Sequence, residues 1–189
     1  MDYKDDCQEK SDSELVELAK ENPDYFGCLM RRYEKQIFSY VRRISYFEKE
    51  DIEDLLQEIF LKVYKNLNDY EDSLKFSSWL YRIARNQTID EFRKRKSRPR
   101  AVSLEDAELV KILHSSSNIE KEIDQKRDLE KAKKIISDLP LKYRDILILR
   151  FIEEKNYEEI MDILKKPKGT VASLIQRGKK LLEKALGKS

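Results

Sequence analysis

Apolar side chains recur every three or four residues through most of this 189-residue chain. That spacing is the period of a helix with one buried face. No stretch alternates apolar and polar residues as a strand would, and only four glycines are present. The first half contains three long stretches of this kind, and the second half contains four shorter ones. The sequence therefore predicts an all-α protein built from helical bundles.

Local signals place the starts of several of these helices. Ser11 with Glu14, and Asn156 with Glu159, have the spacing at which cap and third helical residue satisfy each other's free amides. Prolines favour the first helical position, so helices are predicted to begin near Pro23 and Pro140. Ser77 or Ser78 is predicted to cap the helix that contains Trp79.

The periodicity is interrupted between residues 97 and 125, where Pro99 and the run Ser115–Asn118 occur among many acids. We interpret this stretch as a flexible linker. The chain is thus predicted to form two small helical domains, a bundle over residues 1–97 and a helix-turn-helix domain over residues 126–189, joined by a linker over residues 98–125.

Cysteine and histidine content excludes several kinds of chemistry. Cys7 and Cys28 are the only cysteines and support neither a disulfide framework nor a thiolate metal site, and His114 is the only histidine. No metal, cofactor or catalytic residues are predicted. The acidic start is unlike a signal peptide, and no apolar run approaches the ~20 residues of a membrane span. A cytoplasmic protein is predicted; residues 2–6 look like part of an epitope tag.

Charge is unevenly distributed although the net charge is only +2. Eight Lys or Arg lie between Arg82 and Arg100, against two acids. On a helix that buries Trp79, some of these bases share a second face, as expected of a surface for a polyanion. The alternative is an ordinary solvated face. The residues on this face are Arg82, Arg85, Asn86, Arg93 and Lys96.

The last two helices have the pattern of a helix-turn-helix. A short helix over residues 157–164, a turn over residues 165–168 and a longer basic helix follow one another. Residues off the apolar stripe of the longer helix are predicted to face DNA bases, and its lysines phosphates. The alternative is a helical hairpin with a lysine-rich surface. The predicted base-facing residues are Thr170, Ala172, Ser173, Gln176 and Arg177, and the predicted phosphate contacts are Lys168, Lys179 and Lys180.

A third surface lies on the helix over residues 51–66. Asp54, Gln57, Glu58 and Leu61 lie opposite its buried stripe. Because an exposed Leu among acids is better suited to an interface than to solvent, we predict a protein-binding face here.

Two groups of motifs resemble a known family. The run Asp54-Leu-Leu-Gln-Glu-Ile-Phe-Leu61, followed by Phe76-Ser-Ser-Trp-Leu-Tyr-Arg-Ile-Ala-Arg-Asn86, resembles the N-terminal promoter-melting domain of bacterial sigma factors. Leu139-Pro140, Tyr157-Glu-Glu-Ile160 and Gly169-Thr-Val171 resemble their C-terminal helix-turn-helix. Two domains joined by one linker are similar to the extracytoplasmic-function (ECF) subgroup.

The resemblance implies a role for each surface. Asp54, Gln57, Glu58 and Leu61 would bind core RNA polymerase. Arg82, Arg85 and Asn86 would open the −10 element, and the loop over residues 68–75 would capture a flipped base. Tyr70 in this loop could stack on that base or could equally be a core residue. Residues 168–180 would bind the duplex −35 element. An anti-sigma protein is an expected further partner.

This chain departs from the family pattern at two positions of the recognition helix. Ala172 and Leu174 stand where the family usually has basic residues. The loss at Ala172 could change the −35 sequence that is read, whereas Leu174 fits the apolar stripe and is predicted to pack inside.

The sequence thus predicts an ECF-type sigma factor that directs polymerase to promoters and is not itself an enzyme. One alternative is a duplex-binding regulator, which would usually dimerise on palindromes. A second is an adaptor or sigma-inhibiting protein without a DNA role, which would leave both basic faces unexplained. An enzyme is the least favoured alternative.

Overall fold

The computed structural model describes residues 7–95 and 134–185, and all the regular structure within these ranges is helical. The predicted linker lies outside the described residues. So do Lys96, His114, Leu129 and Ala132. The helices in chain order are α1 (Asp12–Glu21), α2 (Asp24–Ser45), α3 (Lys49–Lys65), a 3₁₀ turn (Leu67–Asp69), α4 (Phe76–Arg95), α5 (Leu141–Phe151), α6 (Tyr157–Leu164) and α7 (Lys168–Ala185). The all-α prediction is confirmed.

The chain divides into two compact units. Among the described residues, the first unit comprises 7–42 and 48–95, and the second comprises 43–47 and 134–185. No helix within the described ranges is both long and apolar enough to cross a membrane.

The capping signals account for two helix starts and fail at a third. Ser11 and Glu14 form the reciprocal pair at the start of α1, and Asn156 and Glu159 do so at α6. The prediction that Ser77 or Ser78 caps α4 is wrong, because this helix already begins at Phe76. Ser78 is buried, and its hydroxyl has no hydrogen-bond partner among the described residues.

Helices α3 and α4 pack against each other in the first unit, whose core is rich in aromatic rings. Trp79 is buried as predicted, and its ring centroid lies 5.5 Å from that of Tyr70 and 5.8 Å from that of Phe76. Tyr33 of α2 completes this cluster, 5.7 Å from Phe76. Rings at these distances and tilts attract one another beyond the gain from burial. They hold the basic helix α4 in place.

A disulfide joins Cys7 to Cys28 in the first unit, across 21 residues of sequence. With only two cysteines, the sequence supported no disulfide framework, so this pairing was not predicted. Their Cα atoms are 5.6 Å apart because the chain before α1 returns to α2. Spacing along the sequence carries no information about such a return.

Helix α7 packs on both α5 and α6 in the second unit. Its buried residues are Val171, Ile175, Gly178 and Leu182, which follow helical spacing. A Cβ atom at Gly178 would lie 3.2–3.3 Å from three carbons of the Leu147 side chain. The glycine therefore permits the close approach of α7 to α5. Leu174, predicted to pack inside, is half-buried.

Candidate protein-binding and nucleic-acid-binding surfaces

The outer face of α3 presents the four residues predicted to bind a protein. Asp54, Gln57, Glu58 and Leu61 are all exposed, and the Leu61 residue is 53% exposed. They are solvent-facing because the buried stripe of α3 occupies the opposite side. An apolar side chain left this open beside carboxylates is suited to a partner with both apolar and basic groups.

An apolar groove of about 400 Å³ continues from Leu61. Met30 and Tyr64, both about two-fifths exposed, lie on its walls with buried Phe26 and Phe60. The rings of Phe26 and Tyr64 are 5.1 Å apart, which joins α2 to α3 at this wall. Pro23 and Gln57 complete the lining. The sequence gives no sign of this groove, because Met30 and Tyr64 follow the apolar spacing of their helices and yet remain exposed.

The basic face of α4 is exposed to different degrees. Asn86 and Arg93 are exposed, whereas Arg82 and Arg85 are half-buried. A guanidinium Nη1 of Arg93 lies 3.4 Å from the Asp90 carboxylate. Since both side chains are largely exposed, this pair is weak and leaves Arg93 able to meet another anion.

Arg95 on the same helix has a structural partner on each side. Its Nε donates to Glu91 at 2.7 Å, and its Nη1 pairs with Asp51 of α3. These hydrogen bonds raise the pKa of Arg95 further, with that to Asp51 the largest cause. The cation thus links α4 to the start of α3.

Tyr70 does not lie on the predicted DNA-facing surface. Its residue is only 6% exposed, its hydroxyl donates to the Leu74 carbonyl at 2.7 Å, and its ring packs against Phe76 and Trp79. The stacking residue suggested by the sequence is therefore a core residue. The remainder of the loop is mostly exposed, including Asn68, Asp69 and Lys75.

The turn and first turns of α7 form the third surface. Lys165 ends α6 with a left-handed backbone (φ 50°), and the chain then turns into α7. Lys168, Thr170, Gln176, Arg177 and Lys180 are exposed, and Ser173 is half-buried. Ala172 is exposed too, so the position at which the family usually has a basic residue faces solvent here.

Lys179 differs from its neighbours. Its Nζ atom lies 4.9 Å from the centroid of the Phe151 ring of α5, and burial lowers the pKa of this ammonium group. A cation over a ring face is attracted by the electrons of the ring. The structure therefore brings Lys179 into the packing of the second unit, away from the open lysines.

Within residues 7–95 and 134–185, no group of three or more His, Cys, Asp or Glu side chains is arranged to hold a metal ion. The acidic and apolar face of α3 and the basic faces of α4 and α7 are suited to binding.

Two family models match this chain, Sigma-70 region 2 over residues 29–98 and Sigma-70, region 4 over residues 129–182. The chain belongs to the sigma-70 family of RNA polymerase sigma factors. Within this family, it is a member of the extracytoplasmic-function group, as its relatives show. The helices α3 and α4 lie in the first match, and α5, α6 and most of α7 lie in the second.

Three relatives span nearly the whole chain. The ECF RNA polymerase sigma factor SigW of Bacillus subtilis is 31% identical, over 91% of this chain and 94% of its own. The RNA polymerase sigma-H factor of Pseudomonas aeruginosa is 33% identical, over 94% and 95%. The ECF RNA polymerase sigma-E factor of Escherichia coli K12 is 31% identical, over 93% and 94%.

Solved structures share the fold. CnrH, in complex with the cytosolic domain of CnrY, superposes with a TM-score of 0.67 at 20% identity, covering 94% of this chain and 98% of CnrH. The sigma factor RpoE of Bartonella quintana, in complex with the anti-sigma factor NepR, gives 0.60 at 20% identity, covering 86% and 96%.

Proposed function

We propose that this ECF sigma factor binds core RNA polymerase, directs it to specific promoters, and helps to melt the −10 region. One observation carries the proposal: sigma-70 regions 2 and 4 both match this one chain, over residues 29–98 and 129–182. Bond formation belongs to the polymerase, so the chain is proposed not to be an enzyme. Its proposed location is the cytoplasm.

The outer face of α3 is proposed to dock on the polymerase. Asp54, Gln57, Glu58 and Leu61 are exposed there, and the apolar groove beside Leu61 extends the same surface. Apolar anchors surrounded by charged groups give an interface both area and orientation. Met30 and Tyr64 join the proposed site for this reason.

The basic face of α4, with Arg82, Arg85, Asn86 and Arg93, is proposed to bind the melted −10 strand. Lys96, outside the described residues, is proposed to take part as well. Cationic side chains along a helix follow the phosphates of a single strand. Unpairing a base costs a few kcal/mol, so these contacts must offset that cost. Tyr70 is left out because it is a core residue.

Helix α7 is proposed to read the −35 duplex in the major groove. Gln176 and Arg177 can each form two hydrogen bonds with one base edge, and Thr170 and Ser173 can form one. Lys168 and Lys180 are proposed to bind phosphates, which position the helix without specifying sequence. Lys179, which lies on Phe151, is proposed to support this helix instead.

An anti-sigma protein is a proposed further partner. CnrH was solved with the cytosolic domain of CnrY, and the sigma factor RpoE of Bartonella quintana was solved with the anti-sigma factor NepR. The groove beside Leu61 is an exposed apolar surface that such a partner could cover.

Run-off transcription tests the proposed function. Purified core polymerase is incubated with promoter fragments from the source genome, with and without this protein. Transcripts from defined start sites only in its presence are expected, and aligned start sites should share two elements. If core alone gives the same products and the protein binds duplex DNA without core, the duplex-binding regulator is the better interpretation.

A further inference from the structure

The disulfide between Cys7 and Cys28 lies in a strongly basic setting. An Nη2 atom of Arg31 lies 3.5 Å from the sulfur of Cys7 and 3.6 Å from the sulfur of Cys28. Arg32 and Lys10 line the same cavity. In the reduced protein, nearby cations favour the thiolate, which is the reactive form of a cysteine.

Gly27 leaves space beside the Arg31 guanidinium. A Cβ atom at Gly27 would lie 3.3 Å from Nη1 of Arg31, closer than most such contacts. The bare helix surface at Gly27 thus leaves room for the guanidinium to lie back along α2 towards Cys28.

A small molecule can reach this pair. Cys7 and Cys28 are 8% and 4% exposed, but both line an open cavity of about 550 Å³. Gln8, Lys10, Arg31 and Arg32 form the rest of its lining. A cavity lined by cations suits a reagent that carries negative charge.

The bond also closes a loop that contains α1. Cys7 lies before α1 and Cys28 lies in the second turn of α2, so the whole of α1 lies between them. Arg32 already holds this segment, because it donates to the carbonyls of Cys7 and Lys10 and pairs with Asp12 at 2.5 Å. A covalent link at the same place lowers the conformational freedom that this segment has when its non-covalent contacts break.

We propose that Cys7 and Cys28 form a reversible redox site, oxidised by low-molecular-weight disulfides, with Arg31 promoting the reaction. One thiolate attacks the small disulfide, forming a mixed disulfide and releasing a small thiolate. The second cysteine then displaces the other small thiolate. The protein loses two electrons and two protons, and the small disulfide becomes two thiols.

The consequence lies in the first unit. Oxidation fastens residues 7–10 to α2 and restrains α1, whereas reduction leaves this segment held by non-covalent contacts such as those of Arg32. In a reducing compartment, a disulfide of this kind is usually transient and responsive to oxidants. The inference concerns this bond and does not depend on the proposed function.

The test uses the full-length protein, reduced and then exposed to oxidised glutathione. Unreacted thiols are tagged with a maleimide polymer at successive times. We expect both tags before oxidation, neither afterwards, a monomer throughout, and full recovery on adding dithiothreitol. Arg31→Ala should slow oxidation about tenfold. Lys35→Ala, which removes an exposed cation one turn further along α2, should oxidise at the wild-type rate.

Hydrogen exchange provides a second readout without changing the cysteines. Amides of residues 12–21 should exchange several-fold more slowly in the oxidised wild-type protein than in the same protein kept reduced with dithiothreitol. Bonds that form only between molecules would overturn the proposal. So would equal oxidation rates for Arg31→Ala and Lys35→Ala, or equal amide exchange in the two forms.

Discussion

Lys179 and Lys180 are adjacent in the recognition helix, but their surroundings differ. Lys180 is exposed, whereas Lys179 lies over the Phe151 ring. A helix turns by about 100° per residue, so neighbours necessarily point in different directions. Composition alone treats the two lysines as equivalent, whereas the structure gives them different roles.

Lys180→Ala should weaken binding to all DNA sequences and reduce the salt slope by about one. The reason is that each phosphate contact releases close to one counterion. Lys179→Ala should leave the slope unchanged and lower the free energy of unfolding by about 0.5–1 kcal/mol, since it removes the contact with Phe151. Titrations of holoenzyme on −35 duplexes at several salt concentrations, with urea unfolding, separate the two effects.

Arg177→Ala serves as the specificity control for this pair. It should alter the −35 base preference and leave affinity for unrelated DNA nearly unchanged, because base contacts discriminate by about 1–3 kcal/mol each.

An unchanged salt slope for Lys180→Ala would mean that Lys180 touches no phosphate.

Leu61→Glu should reduce binding to core polymerase at least tenfold while the protein stays folded. Leu61 is 53% exposed and borders the apolar groove, so a carboxylate there places an unpaired charge in the proposed interface. Exposed substitutions usually change stability by less than about 0.5 kcal/mol. Affinity for core is measured by fluorescence titration.

Gln36→Glu is the matched control for Leu61→Glu. It makes the same change in charge at an exposed position of α2 that does not line the groove. Normal core binding by Leu61→Glu, or an equal loss in both variants, would contradict the assignment of this face.

At the scale of elements, the packing of α7 on α5 depends on one missing side chain. Gly178 lies in the buried row of α7, directly against Leu147. Glycine costs about 1 kcal/mol relative to alanine inside a helix, so a packing reason is needed for it here. The contact with Leu147 supplies that reason.

Gly178→Val should therefore destabilise the protein by about 1–3 kcal/mol, as expected of overpacking in a closed core. Gly169→Ala is its control, because a Cβ there would meet no described atom within 4 Å beyond its chain neighbours and its own helix backbone. The control should be neutral or slightly stabilising, since alanine is the better helix former. Urea unfolding of the full chain measures both, and equal stability of the two variants would refute the packing argument.

The same scale explains why Ser78 does not cap α4. A serine caps a helix only from outside its first turn, where its hydroxyl reaches free amides. Phe76 already belongs to the helix, and the Trp79 amide donates to the Lys75 carbonyl. The buried Phe76 side chain anchors the first residue of α4, so the helix begins before the two serines.

At the scale of the whole molecule, charge is arranged by surface and the net charge of +2 says little. Acids concentrate on the outer face of α3, and bases on α4 and α7. Two carboxylates also accept hydrogen bonds from residues of their own helix or from its cap. The Ser11 hydroxyl and amide lower the pKa of Glu14, with the side-chain hydrogen bond the larger cause, and the hydrogen bond from Arg95 lowers the pKa of Glu91.

These two carboxylates predict the direction of acid unfolding. Their folded pKa values lie below the unfolded value of about 4.5. Their stabilisation is therefore fully present above that pH and is lost as the pH falls through the lower folded values. The urea midpoint should stay level from pH 7 to about pH 5 and fall below about pH 4.5. Glu14→Gln with Glu91→Gln should make that fall shallower; an unchanged fall would assign it to other groups.

Much of this protein was predictable from sequence because the responsible interactions are short-ranged. Helical periodicity, the Ser11 and Asn156 caps and the exposed position of Asp54, Gln57, Glu58 and Leu61 all depend on residues within a turn or two. The resemblance to sigma factors rests on the same local motifs, and the comparisons confirm it.

Packing between distant segments decided the rest. The sequence allowed Tyr70 to be either a stacking residue or a core residue, and its contacts with Phe76 and Trp79 make it a core residue. Cys7 lies beside Cys28 only because the chain before α1 runs back to α2. Met30 and Tyr64 follow the apolar period of their helices, yet they remain open where α2 and α3 form a groove. The sequence by itself determined the helices and their polar faces, since these depend on neighbours along the chain. Only the tertiary structure determined which apolar, aromatic and basic side chains are covered, because that depends on which helices pack against each other.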